Sequence, residues 1–217
     1  MIELDVTLSR DRQVVVMHDA TLDRTTNGKG PVGDFTLAKL KQLDAGSWFD
    51  SQFSNQRISD LSEVLDLVNG RVYVNIEIKS NAFEAHHPPD AIEMQVVDLL
   101  KQKKMLGTSL VSSFNIDIIK QIAALEKPPA IAFISEEPAN TETVQMCTRL
   151  NLFSWHPNYR IVSRNQVKQM HAAGLKVFPY TVNSKEDYTR MRSMNIDGIV
   201  TDDPASAAEW SLAYKPE

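Results

Sequence analysis

The chain has 217 residues, 42% of them apolar and 24% charged, a balance that suits one folded core and excludes a disordered or fibrous chain. Its 23 Lys and Arg against 28 Asp and Glu leave a formal charge of −5, which argues against an extended nucleic-acid surface, where cations must cluster to neutralise phosphates. A single cysteine excludes an internal disulfide framework, and no apolar run reaches the roughly 18 residues of a membrane helix.

In chain order, the opening Ile2-Glu3-Leu4-Asp5-Val6 alternates apolar and acidic residues and predicts a strand over 2–8. It is preceded by no basic-then-apolar leader, so a reducing, cytoplasmic setting is expected. The apolar run Val14-Val15-Val16-Met17 ends at His18 and Asp19. The stretch 19–60 that follows lacks regular barrel elements, carries Asn27-Gly28 and Gly30-Pro31 turn signals, and holds the aromatic group Trp48, Phe49 and Phe53, which reads as a small core rather than a ligand cage. So long a connection reads as a small inserted subdomain or lid. Beyond it, β-branched runs at 72–79, 109–113, 130–134, 152–155, 176–182 and 198–201 alternate with helical patterns at 61–68, 91–103, 116–125, 141–150, 163–173, 184–194 and 204–212. Ser163, Ser184 and Asp203 stand as N-caps, and Gly174 as a left-handed stop. Seven core strands with intervening helices fall one short of a closed (β/α)8 barrel. An open doubly wound sheet is the alternative, but no glycine-rich phosphate loop follows any strand.

Glu3 and Asp5 are two apart in an extended segment and leave the same face. Asn75, Glu77 and Lys79 repeat that arrangement. In a barrel both polar sets turn inward near the strands' carboxyl ends, where carboxylates repel one another unless a positive group sits among them. A hard divalent ion, magnesium or calcium, would supply it. The competing reading is an exposed edge strand with a surface Glu77–Lys79 pair. His18, one short hairpin from Glu3 and Asp5, is a candidate acid/base group. His86, His87 and His171 show no shared metal spacing, and His156 sits either at a barrel mouth or in a loop. Cys147 reads as packing.

The blocks Glu3-Leu4-Asp5-Val6, Val15-Val16-Met17-His18-Asp19, Leu22-Asp23-Arg24-Thr25-Thr26-Asn27-Gly28, Asp44-Ala45-Gly46-Ser47-Trp48-Phe49, Asn75-Ile76-Glu77-Ile78-Lys79, Thr181-Val182-Asn183 and Asp197-Gly198-Ile199-Val200-Thr201-Asp202-Asp203-Pro204 occur in the order of one known family. The chain resembles the glycerophosphodiester phosphodiesterases from Ile2 to Trp210. The resemblance implies a (β/α)8 TIM barrel of the phospholipase-C-like phosphodiesterase type, with 1–217 as a single domain and 19–60 inserted after its second strand. It further implies hydrolysis of a small-molecule glycerophosphodiester to glycerol 3-phosphate and an alcohol, with one divalent cation, Mg2+ or Ca2+. Carried over by position, Glu3, Asp5 and Glu77 are metal ligands, His18 is the general acid/base and Lys79 helps to hold the phosphate. Tyr180 stands where the family often has Trp, and Trp48 and Phe49 belong to the insertion near the pocket. No nucleic acid and no stable membrane anchor are expected as partners. Family members open on a His-Arg-Gly strand followed by Pro-Glu-Asn-Thr and a helix, blocks unmatched here; the first βα unit is expected ahead of Met1. A catalytically weakened relative that binds metal and phosphodiester is the alternative, and a related barrel enzyme acting on lysophospholipids is the runner-up among enzymes.

Overall fold

The structure is a computed structural model, and it describes residues 1–213. They divide into two compact units, one of Met1–Ala130 and one beginning at Ile131.

The first unit is built on β1 (Ile2–Leu8), β2 (Val14–Val16), β3 (Val74–Ile78) and β4 (Ser109–Ser113), in the spatial order β2-β1-β3-β4. β1 and β2 form an antiparallel hairpin with Val6 opposite Val16, whereas β1, β3 and β4 run parallel. Parallel neighbours need crossovers. Here α2 (Leu61–Val68) leads into β3 and α3 (Ile92–Gln102) joins β3 to β4, while α4 (Ile116–Ala123) follows β4. Period-2 alternation sorts the strand faces: Val74, Ile76 and Ile78 are fully buried on one side, and Asn75 and Glu77 leave the other. Helical spacing completes the core with Leu61 and Leu65, with Ile92, Val96 and Leu100, and with Ile118 and Ile122.

Residues 19–60 contain α1 (Leu37–Leu40) and two short 3-10 turns, Val32–Asp34 and Ser51–Phe53. Their core is Leu22, Val32, Leu40 and Ile58 packed onto Val15 and Met17, so the segment is anchored on the outgoing arm of the hairpin. The aromatic group is not this core. Trp48, Phe49 and Phe53 remain 51%, 72% and 37% exposed. The tip of the hairpin is tied to the segment after β3: the Arg12 guanidinium donates to both Glu84 oxygens at 2.9 and 2.7 Å and pairs with Asp90.

The second unit contains β5 (Ala130–Ser135), β6 (Ser154–Pro157) and β7 (Lys176–Val177), all parallel, with α5 (Thr141–Arg149), α6 (Arg164–Ala172), α7 (Lys185–Ser193) and α8 (Pro204–Ala213). The caps act locally as their chemistry requires: Ser163 accepts from the Gln166 amide, Ser184 from that of Asp187 and Asp203 from that of Ser206, and Gly174 has φ +80°.

Two strand expectations fail here. The strand predicted over 176–182 is regular only over Lys176–Val177; the Phe178 and Tyr180 amides still donate to the Trp155 and Pro157 carbonyls, and Pro179 leaves the edge facing away from β6 without a donor. The segment 198–201 forms no strand; it is held by two backbone bonds, Val200 to Pro179 and Val182 to Val200. The antiparallel β2 makes up the number of strands.

The strand predicted at 152–155 lies two residues later, so His156, expected just after the strand at a barrel mouth or in a loop, stands within β6. The ring is buried, with Nε2 2.9 Å from Ser154 Oγ and its edge against Phe178. Burial pushes its pKa down to about 3 from an ordinary 6.5. The folded chain therefore refuses a proton that the unfolded chain accepts, so this stabilisation is complete above pH 6.5 and is lost as pH falls toward 3. The unfolding free energy of the native chain, from urea titrations, should fall on acidification by as much as about 1.4 kcal/mol per pH unit from this group. His156→Gln should flatten that slope at the upper end of the window, above the carboxylate range; an unchanged slope would remove the group from the acid sensitivity. Cys147 lies buried in α5 with its thiol pushed up to about 11, as suits packing.

Candidate active site

The parallel register sets Glu3 beside Asn75 and Asp5 beside Glu77, although more than seventy residues separate each pair. Carboxylate oxygens of Glu3, Asp5 and Glu77 all lie within 4.8 Å of one another. Lys79 leaves the end of β3, where its amide donates to the Val6 carbonyl at 3.1 Å. Its Nζ reaches back to Asp5 Oδ1 at 3.1 Å and Glu77 Oε1 at 3.0 Å. The Asp5, Glu77 and Lys79 side chains are largely buried, and Glu3 is the exposed member.

The electrostatics follow from that crowding. Burial raises the Glu77 carboxyl above the usual range, and the Asp5 charge adds to the effect, while Lys79 only partly opposes it. For Lys79, burial works against the ammonium, but Glu77 and Asp5 outweigh it and raise the pKa. One ammonium among three carboxylates leaves an excess of negative charge. The donor set is all oxygen, and the buried Asn75 Oδ1, on the same strand face as Glu77, has no hydrogen-bond partner among the described residues. Such a cluster fits a hard divalent cation, for which these three carboxylates are the candidate ligands.

His18 arrives by the hairpin. The Met17 amide donates to the Asp5 carbonyl at 2.9 Å, so the next residue emerges beside the carboxylates. The imidazole is exposed, with Nδ1 2.7 Å from Asp19 Oδ1. Asp19 is gripped from its other side by Arg24, Nε to Oδ2 at 2.7 Å and Nη2 to Oδ1 at 2.9 Å. These bonds, that of Arg24 foremost, hold the Asp19 carboxyl far below its ordinary pKa. The Arg24 guanidinium also lies 5.8 Å from the Trp48 ring centroid. Asp19 and Arg24 are thus close to His18 without having been singled out from the sequence. Their only signal there was membership of two matching blocks, which does not tell that they touch.

The turn carrying Trp48 is closely specified. Asp44 accepts from the Ser47 hydroxyl at Oδ2 and from the amides of Ser47 and Gly46 at Oδ1, which together hold its carboxyl near 2, and Trp48 Nε1 donates to the Ala45 carbonyl. A Cβ at Gly46 would come 2.0 Å from the Phe53 carbonyl oxygen, so only glycine fits. Tyr180 belongs to the second unit, where its hydroxyl donates to the Ser135 carbonyl at 3.3 Å. His171 is engaged with Asp197 at 2.8 Å. His87 faces Phe83 and lies 3.7 Å from Glu93, apart from the carboxylate cluster.

Residues 1–206, spanning both units, match the glycerophosphoryl diester phosphodiesterase family. The chain belongs to that family. Among relatives of this phosphodiesterase, the glycerophosphodiester phosphodiesterase of Caldanaerobacter subterraneus subsp. tengcongensis is 39% identical over 204 residues, covering 94% of this chain and 82% of the relative. A glycerophosphodiester phosphodiesterase of Bacillus subtilis is 30% identical over 223 residues, covering 94% and 73%. Among solved structures, an Oleispira antarctica phosphodiesterase in complex with the product sn-glycerol-3-phosphate superposes with a TM-score of 0.87 at 29% identity, covering 97% of this chain and 84% of that one. The fold is accordingly α/β of the TIM-barrel type, and the family is one of enzymes. Among the described residues, no helix is long and apolar enough to cross a membrane.

Proposed function

We propose that this family member hydrolyses glycerophosphodiesters to sn-glycerol 3-phosphate and an alcohol with the help of one divalent cation, Mg2+ or Ca2+. In this reading 1–217 is one catalytic domain, with 19–60 as its insertion and residues 214–217 outside the described part. The observation that carries it is the meeting of Glu3, Asp5 and Glu77 oxygens within 4.8 Å, bridged on one side by Lys79. The product bound by the Oleispira antarctica relative supports the choice of substrate.

Hydrolysis replaces the phosphorus–oxygen bond to the alcohol with one to an oxygen that ultimately derives from water. One proton must leave the attacking oxygen and one must reach the departing alcohol. His18 takes one of these parts. With Nδ1 engaged by Asp19, its Nε2 is the atom that exchanges the proton. Lys79 places an ammonium where a phosphate oxygen can be held, and the two carboxylates beside it keep it charged. Glu3, Asp5 and Glu77 would hold the cation, which when bound neutralises charge developing on the phosphate oxygens.

The full-length protein should release glycerol 3-phosphate from glycerophosphocholine and glycerophosphoethanolamine with magnesium or calcium and lose that activity in chelator. Chelator-insensitive hydrolysis would contradict the cation; turnover of lysophospholipid alone would contradict the substrate class.

A further inference from the structure

An imidazole as exposed as that of His18 has no packing to choose its rotamer or its tautomer. What orients it is a carboxylate: Asp19 Oδ1 sits 2.7 Å from Nδ1. That carboxylate would itself rotate about a short side chain were it not held at both oxygens by one guanidinium, at 2.7 and 2.9 Å. A planar fork is the group that can fix a carboxylate's plane as well as its place. The guanidinium is restrained in turn, because its charge lies over the Trp48 ring and that ring is tethered through Nε1 to Ala45. The insertion thereby reaches the imidazole through three side chains, Trp48, Arg24 and Asp19.

We propose that Arg24 is a positioning residue for His18, acting through Asp19, and that Trp48 steadies Arg24. The ionised Asp19 accepts a hydrogen bond from Nδ1–H and leaves the Nε2 lone pair outward, in the tautomer a general base needs. Exposed ion pairs add little to stability. The arrangement therefore contributes orientation rather than folding energy, and its loss should appear in turnover while the fold stays intact.

The inference rests on His18 as the acid/base group, and the test separates the two. In full-length protein labelled with 15N-histidine, the His18 ring should show Nδ1 protonated and Nε2 unprotonated at a pH where it is neutral. In Arg24→Met the two tautomers should average, and kcat on glycerophosphocholine should fall by roughly 10- to 100-fold, the range typical of lost outer-shell partners, with KM unchanged. Arg24→Lys keeps the charge without the fork and should recover only part of the loss; circular dichroism of both variants separates lost turnover from misfolding. Trp48→Phe, which keeps an aromatic face but loses the tether to Ala45, should give a smaller loss of the same kind. Wild-type turnover and ring signals in Arg24→Met would overturn the positioning role, as would a rise in KM with kcat preserved. Wild-type turnover in His18→Ala would instead overturn the acid/base reading of His18.

Discussion

His18→Ala is expected to lower turnover by about a hundredfold to ten-thousandfold, the usual contribution of an acid/base group, while leaving divalent-cation affinity within a few-fold of the native value. The separation follows from geometry. The imidazole enters from the hairpin with Nδ1 turned to Asp19, whereas the three carboxylates that converge come from β1 and β3. Steady-state kinetics on glycerophosphocholine and calorimetric titration with magnesium or calcium would measure both quantities on one preparation. A variant that lost cation affinity as steeply as turnover would place His18 among the ligands and end the division of roles.

Glu77→Gln should behave in the opposite sense, weakening the cation at least tenfold because the shape of the side chain is retained and its charge is not. The same substitution should leave the cation-free chain no less stable than the native one. The sign follows from the raised carboxyl of Glu77: a group whose pKa is higher folded than unfolded gives full stabilisation below the unfolded value and loses it as pH rises through the folded one. At neutral pH its charge therefore opposes folding. The amide oxygen can still accept from Lys79, which also retains Asp5 at 3.1 Å. Thermal melting in chelator and titration of the cation test the two halves together. A cation-free variant that melted well below the native chain would show that Glu77 is a structural ion-pair partner first. Unchanged affinity would remove it from the ligand set.

Much of this was legible before any coordinates. Strand β1 coincides with residues 2–8 because apolar and polar residues alternate over its whole length, and α2 coincides with 61–68 because its apolar residues keep helical spacing; the structure adds the Asp60 capping box that starts it. The later strands were harder to place. His156 lay beyond the predicted strand because Ser154 to Pro157 carries no strong β pattern; what makes it a strand is pairing with β5 and β7. The aromatic group at Trp48 looked like a small core by composition. The smaller residues Leu22, Leu40 and Ile58 fill that space and leave the rings outside.

By itself the amino-acid order determined everything that depends on near neighbours: the period of two that puts Glu3 and Asp5 on one face, and Asn75 and Glu77 on another strand's single face, and the caps that start the helices. Only the tertiary structure decided that Asp5 stands beside Glu77, that Lys79 bridges them, that Arg24 reaches Asp19 from the far side of a turn, and that residues 198–201 stay outside the ladders. The physical reason is range. Side-chain direction along a strand is fixed by the covalent repeat of a few residues, whereas register and cross-chain charge contacts depend on how distant segments pack together and exclude water.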